Sequence, residues 1–285
     1  MEYVVVGAGS VGMLMSCMLR DAGASVKLIT HRKEQAQLIN EQGIKRGSAY
    51  YVVDASEKLE NINRHAIVLL AVKYDALEEI LPIVNKECAE NPIVFLQNGM
   101  LHLEYLKSMP QQNIAAGSVE HGVIRISDNE IEHTGKGVLN LALLKGEKRH
   151  FLPLLDLRRV LTRWHEDADR MLFRKVLLNS IINPLTALME IKNGELLTNP
   201  YAYELMKDLY TELYRAFPDI DAFLPFEEVT SLCASTAGNT SSMLADKRAG
   251  RKMEIDTIIR YTLMRSPIEL PTLKAFYNLL KSVEV

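Results

Sequence analysis

Cysteine is scarce: Cys17, Cys88 and Cys233 are the only three in 285 residues. Their odd number and scattered spacing argue against a disulfide framework or a thiolate metal site. They read as small buried hydrophobes in a reducing compartment. Charge of one sign is not in excess either. Lys and Arg number 33 against 36 Asp and Glu, a formal net charge of -3, whereas a nucleic-acid binder needs a basic surface. No uninterrupted apolar run reaches membrane-spanning length, and the apolar run after Glu2 is too short and too early for a secretory leader. No nucleic-acid or membrane partner is expected, and the chain reads as cytoplasmic. No repeat of about 20–50 residues and no low-complexity linker is evident. The single tryptophan, Trp164, reads as core or domain-interface packing. The length suggests two domains or one large one.

What is present begins at residues 2–20, EYVVVGAGSVGMLMSCMLR. Residues 3–6 are apolar and β-branched, suited to a buried parallel strand. Gly7-x-Gly9-x-x-Gly12 follows at once and opens a segment free of Gly and Pro. Strand, glycine loop and helix in that order form a dinucleotide-binding fingerprint. Gly7 permits the tight turn, Gly9 presents no side chain to a pyrophosphate, and Gly12 lets the helix approach the sheet. The N–H groups of the first helical turn then receive the phosphates. Ala8, Ser10 and Val11 complete this set of cofactor-binding positions.

Residues 25–30 read as the second strand of a βαβ unit. An NAD site usually carries Asp or Glu at the tip of that strand, against the ribose 2'-hydroxyl. Here the tip is Thr30-His31-Arg32-Lys33, with no carboxylate and two fixed positive charges. It therefore predicts NADP, with either His31 or Arg32 making the main 2'-phosphate contact. Residues 49–53 read as a strand on an excursion from the main sheet. Residues 66–72 and 92–96 read as central strands that deliver Lys73 and Asn98 to their carboxyl ends, where open α/β sheets bind ligands. Residues 114–144 look like further strands, with 133–137 as a loop between them. Residues 153–167 should hold a helix and the passage into a second domain. From Arg170 onward the pattern is nearly all helical. The expected fold is an α/β Rossmann-type dinucleotide-binding domain, 1–166, and a C-terminal all-helical domain, 167–285, with the active cleft where they meet.

A second constellation lies in the helical part. Lys175, Asn179 and Asn183 are spaced i, i+4, i+8 through apolar neighbours, so a helix would align them on one face. They form either a reactive stripe or a buried polar network. Pro184 is expected to bend or end the helix there. Asn239 and Ser242, three apart, could share a helical face and hold a carboxylate. Asn239 could equally cap the helix that starts nearby. Glu254 follows, able to orient a substrate hydroxyl or Lys175.

Together these motifs resemble the ketopantoate reductase (2-dehydropantoate 2-reductase) family over nearly the whole chain. The resemblance rests on GAGSVG at 7–12, Lys73 in AVK, Asn98 in QNG, HTGKG at 133–137, Lys175-x3-Asn179-x3-Asn183-Pro184-Leu185-Thr186-Ala187, Asn193-Gly194-Glu195-Leu196, Ser242-Met243-Leu244 and Glu254-Ile255-Asp256. It implies NADPH-dependent reduction of ketopantoate to pantoate, toward pantothenate and coenzyme A. Lys175 would be the general acid and Glu254 its catalytic partner near the substrate hydroxyl. Asn179, Asn183 and Ser242 would position substrate, with Asn239 a weaker candidate. Asn98 would bridge substrate and cofactor, and Lys73 would lie near the cofactor. Phe173 stands close to where members often carry Trp before the lysine. Two alternatives share the motifs: a reductase of another branched 2-oxo acid, and a nucleotide-sensing regulator. An apolar helix face can serve an intrachain contact or a homodimer alike.

Overall fold

The structure, a computed structural model, describes residues 1–284. It divides into two units. Met1–Gln97 and His102–Met171 form the first; Asn98–Leu101 and the chain from Leu172 onward form the second.

The first unit runs β1 (Glu2–Val6), α1 (Ser10–Asp21), β2 (Ser25–Ile29), α2 (Lys33–Gln42), β3 (Ile44–Arg46), β4 (Ala49–Tyr51), β5 (Asp54–Ser56), β6 (Ile67–Leu70), α3 (Leu77–Glu87), β7 (Ile93–Phe95), β8 (Ile114–Val119), β9 (Gly122–Arg125), β10 (Glu130–Gly135), β11 (Leu139–Lys145), α4 (Leu152–Leu155) and β12 (Thr162–His165). Eight strands make one sheet in the order β12-β11-β8-β7-β6-β1-β2-β5. The six from β8 to β5 are parallel, and β11 pairs antiparallel with β8. In chain order those six have the 3-2-1-4-5-6 arrangement of a Rossmann sheet, whose direction of winding reverses between β1 and β6. The loops after these two strands therefore open on one crevice at the carboxyl edge.

Both faces of this sheet are covered, which is why its strands read as continuous apolar runs. Side chains alternate between two cores. Tyr3 and Val5 of β1 pack with Leu14 and Cys17 of α1 on one face. Val4 and Val6 pack with Leu77 and Leu81 of α3 on the other. Full burial of each such Val or Leu contributes about 1.5–3 kcal/mol.

The excursion expected at residues 49–53 does leave the main sheet: β4 joins a second one, ordered β4-β3-β10-β9. Two local expectations are corrected. His133, Thr134 and Gly135 belong to β10 rather than to a loop. Residues 162–165, expected to be passage, form the edge strand β12, parallel to β11, with Trp164 stacked near Phe151 in the core. Four residues are too short a window for a period-2 pattern to show.

His102 is 1% exposed, stacks on Phe95, and among the described residues has no hydrogen-bond partner for either ring nitrogen. Burial pushes it down to about 3. The unfolded chain takes up this proton near its ordinary value of about 6.5, and the folded chain resists it. Stability is therefore complete above about 6.5 and falls as pH drops toward 3, by about 1.4 kcal/mol per pH unit for this one group. Urea midpoints measured from pH 7 to 5 should fall, and His102→Leu should flatten the slope by about one proton. An unchanged slope in the variant would assign the effect elsewhere.

The second unit carries most of α5 (Ala168–Met189), then α6 (Glu195–Thr198), α7 (Pro200–Ala216), α8 (Phe226–Ser235), α9 (Ser242–Arg248), α10 (Tyr261–Arg265) and α11 (Pro271–Val283). Helix ends are satisfied by particular side chains, as their orphaned N–H groups require. Asn199 caps α7, Ser241 caps α9, and the Glu212 carboxylate accepts from the Thr272 and Leu273 N–H groups at the start of α11. Phe173 meets Phe217 edge-on at 4.9 Å, and the Arg265 guanidinium lies over the Phe173 ring at 3.9 Å. Among the described residues no helix is long and apolar enough to cross a membrane, and no group of three or more His, Cys, Asp or Glu is placed to hold a metal ion.

Candidate functional site

The glycine loop lies at the reversal point of the sheet. Gly7 has φ +107, a conformation that disfavours any side chain, and its N–H donates to the Ile29 carbonyl at the end of β2. A Cβ on Gly7 would stand 2.8 Å from Val72 Cγ1; one on Gly12 would run into the Gly7 carbonyl oxygen. Gly9 differs: nothing lies within 4 Å of where its Cβ would be. The first and third glycines thus permit close approach of backbone, and the second leaves open space. Gly9 is also the N-cap of α1, with no side-chain hydrogen bond to the cap and no acidic residue in the first turn. The N–H groups of Ser10, Val11 and Gly12 begin a helix whose dipole favours an anion. Lys73 follows directly on the Ala71-Val72 segment against which the glycines pack, and is exposed.

The tip of β2 is not as expected. His31, Arg32 and Lys33 are exposed there, but a carboxylate joins them. Asp128, in the turn between β9 and β10, accepts from Arg32 at 2.5 Å through one oxygen and from Arg125 at 2.5 Å through the other. The Arg32 hydrogen bond, then that of Arg125, holds the Asp128 carboxyl below its usual range. Gln35 Nε2 donates to the carbonyls of both Asp128 and Ala8, tying this turn to the glycine loop. The acid-free tip read from residues 30–33 is therefore corrected. Asp128 is 96 residues from Arg32 in sequence, beyond the reach of any local motif.

In the second unit, α5 runs for 22 residues through Pro184, so of the bend or end expected at that proline the end does not occur. Lys175, Asn179 and Asn183 consequently share a helical face, each about 40° round from the last. Lys175 and Asn179 are half-buried; Asn183 is 4% exposed, and its Nδ2 has no hydrogen-bond partner among the described residues. Asn98 Nδ2 donates to Glu254 Oε2 at 2.8 Å, joining residues far apart in sequence. The neighbouring Gly99 has φ +80, and a Cβ there would collide with the Thr257 carbonyl, in the π-helical turn Asp256–Arg260 that follows Glu254. Such turns recur at functional sites. Asn98–Leu101 thus packs beside Glu254 because position 99 is glycine.

Ser242 opens α9 and is exposed. Its neighbour Ser241 caps the helix and accepts from Thr186 Oγ1 of α5 at 2.7 Å, which fixes α9 against α5. Asn239 is neither that cap nor part of the helix, so it shares no helical face with Ser242. Its carbonyl instead accepts from the Asn193 N–H at 3.1 Å. Local sequence could not have found Asp128, Arg125, Gln35 or the Asn98–Glu254 bond; positive φ at Gly99 was foreshadowed only by the Asn-Gly pair.

Comparison with known proteins agrees with both halves. Residues 3–146 match the family ketopantoate reductase PanE/ApbA, and residues 167–284 match its C-terminal counterpart. The chain is 32% identical to 2-dehydropantoate 2-reductase from Listeria innocua, over 98% of this chain and 96% of that one. It is similar to the crystal structure of a probable 2-dehydropantoate 2-reductase from Bacillus subtilis, with a TM-score of 0.84, 31% identity and 100% of both chains covered. The ternary structure of D-mandelate dehydrogenase with NADH and anilino(oxo)acetate shares the fold, with a TM-score of 0.87 at 20% identity over 100% of this chain and 98% of that one. With a Rossmann sheet, its glycine loop and a helical second unit all present, the chain belongs to the ketopantoate reductase PanE/ApbA family of NAD(P)-dependent oxidoreductases.

Proposed function

We propose that this protein reduces 2-dehydropantoate (ketopantoate) to pantoate with NADPH, a step toward pantothenate and coenzyme A. The observation that carries the reading is the α5 face: a lysine and two asparagines in register, ending in a buried amide, Asn183 Nδ2, without a partner among the described residues. Buried polar groups are almost always paired, so an open donor on the same helix as a lysine, about two turns along, suits an anionic, oxygen-rich ligand. The residues of the first unit fit the cofactor. The open space at Gly9 and the uncapped start of α1 would take the pyrophosphate, His31 and Arg32 the 2'-phosphate, and Lys73 a position near the cofactor.

When bound, the dihydronicotinamide supplies the hydride. Lys175 donates a proton to the carbonyl oxygen as negative charge grows there, and its ammonium stabilises that charge before transfer. Asn179, Asn183 and Ser242 hold the substrate, with Asn239 contributing from the adjoining segment. Glu254, oriented by Asn98, accepts from the substrate hydroxyl. Asn98 would contact substrate and cofactor alike. This chain's part is to fix donor and acceptor at reacting distance and to supply the proton.

The hydroxyl contact makes the reading testable. A site built to bond a hydroxyl rejects the analogue that lacks it. With NADPH oxidation followed optically, ketopantoate should give the highest kcat/KM, at least about 100-fold above its analogue without the hydroxyl, the worth of one hydrogen bond to a carboxylate, and NADH should perform poorly. Faster turnover of another branched 2-oxo acid would overturn the substrate assignment. No turnover of any 2-oxo acid, with tight nucleotide binding, would indicate a sensor instead.

A further inference from the structure

We propose that Asp128 sets the balance between NADPH and NADH by competing with the 2'-phosphate for Arg32. The inference rests on the reading that the tip of β2 receives the adenosine ribose. A carboxylate at such a tip accepts a hydrogen bond from a 2'-hydroxyl, and a guanidinium there attracts a 2'-phosphate. This protein supplies both. Arg32, at the N-terminal end of α2, reaches one oxygen of Asp128; Arg125, at the end of β9, reaches the other. The trio sums to one positive charge, where the two arginines alone would present two.

The arrangement is built rather than incidental. The β9–β10 turn is anchored on the α2–β3 connection through β10, which pairs Glu130 with Lys45 and Ile131 with Arg46. Lys45 N–H donates to the Asn129 carbonyl at 2.8 Å, and Asn129 Nδ2 to the Gly43 carbonyl at 3.1 Å. Gln35, 4% exposed, bonds the Asp128 carbonyl at 2.8 Å and the Ala8 carbonyl at 2.9 Å. The carboxylate is thereby held at a set place relative to the phosphate loop. Arg32 and Asp128 remain partly exposed, with side chains 49% and 33% accessible, so a ligand can reach the pair. An exposed ion pair of this kind adds little to stability; its consequence is for what binds. An arriving 2'-phosphate has to take Arg32 from Asp128 and sit beside a second anion. A 2'-hydroxyl gains an acceptor.

Calorimetric titration of the full chain with NADP+ and with NAD+ tests this without turnover. Asp128→Asn keeps shape and removes the charge; Asp128→Ser removes the charge with a smaller side chain and guards against misfolding of either variant. Both should raise the NADP+ over NAD+ affinity ratio by about tenfold, chiefly by tightening NADP+, because a like charge beside the phosphate is gone. The gain should shrink as salt is raised. A ratio unchanged or lowered in both variants would overturn the proposal, a lowered one showing that Asp128 aligns Arg32 for the phosphate. Arg32→Ala separates the two readings. If it weakens NADP+ selectively while the Asp128 variants shift nothing, the role of Asp128 alone fails. If it leaves both affinities unchanged, the placement of the 2'-phosphate at Arg32 fails with it.

Discussion

Replacement of Lys175 by alanine is expected to lower kcat about 1,000-fold and to change KM for ketopantoate by no more than about threefold. The ammonium matters most when charge has developed on the carbonyl oxygen, so its removal costs the transition state and not the bound ground state. Lys175 sits in the interior of an unbroken α5 with Val176–Leu178 buried beside it, and alanine is the strongest helix former. The variant should therefore fold. Steady-state kinetics with a melting curve on the same sample decide the matter. A fall in kcat of less than tenfold would remove Lys175 from the proton-donor role, and a rise in KM with kcat intact would make it only a substrate-binding residue.

The glycine loop offers a contrast of comparable size. Gly12→Ala should weaken dinucleotide binding at least about 100-fold and cost about 3 kcal/mol of stability, since overpacking of a tight contact forces the backbone apart. A Cβ at position 12 has nowhere to go but into the Gly7 carbonyl, and Gly7 is itself held by its N–H bond to the Ile29 carbonyl and lies against Val72. Gly9→Ala should weaken binding similarly and leave stability within about 0.5 kcal/mol, the usual range for a substitution that meets no packing. Position 9 has an ordinary φ of -81 and no atom within 4 Å of the added carbon. The two variants together separate a residue that serves the fold from one that serves the ligand. Equal loss of stability in both would sink that division.

Much of the first unit was legible because its signals are local. A buried parallel strand shows as an uninterrupted apolar run, and a glycine fingerprint occupies six consecutive positions from Gly7 to Gly12. α5 was legible through apolar spacing, although its length was not. Pro184 predicted a bend or an end, yet the helix continues to Met189, because burial of Leu185, Thr186 and Ala187 offsets one missing N–H. β12 failed to show because an edge strand of four residues leaves almost no pattern.

From sequence alone came the fold class, the dinucleotide loop, the helical second half and the polar spacing of Lys175, Asn179 and Asn183. Each depends on neighbours within a turn or a strand, and local propensity and periodicity encode those. Tertiary structure decided what meets across long separations. Asp128 lies against Arg32 because β10 pairs with β3, and Asn98 bonds Glu254 because Gly99 lets its turn approach Thr257. These contacts set the charge at the tip of β2 and the orientation of the Glu254 carboxylate. They arise from strand pairing and close backbone approach, whose partners no window of consecutive residues contains.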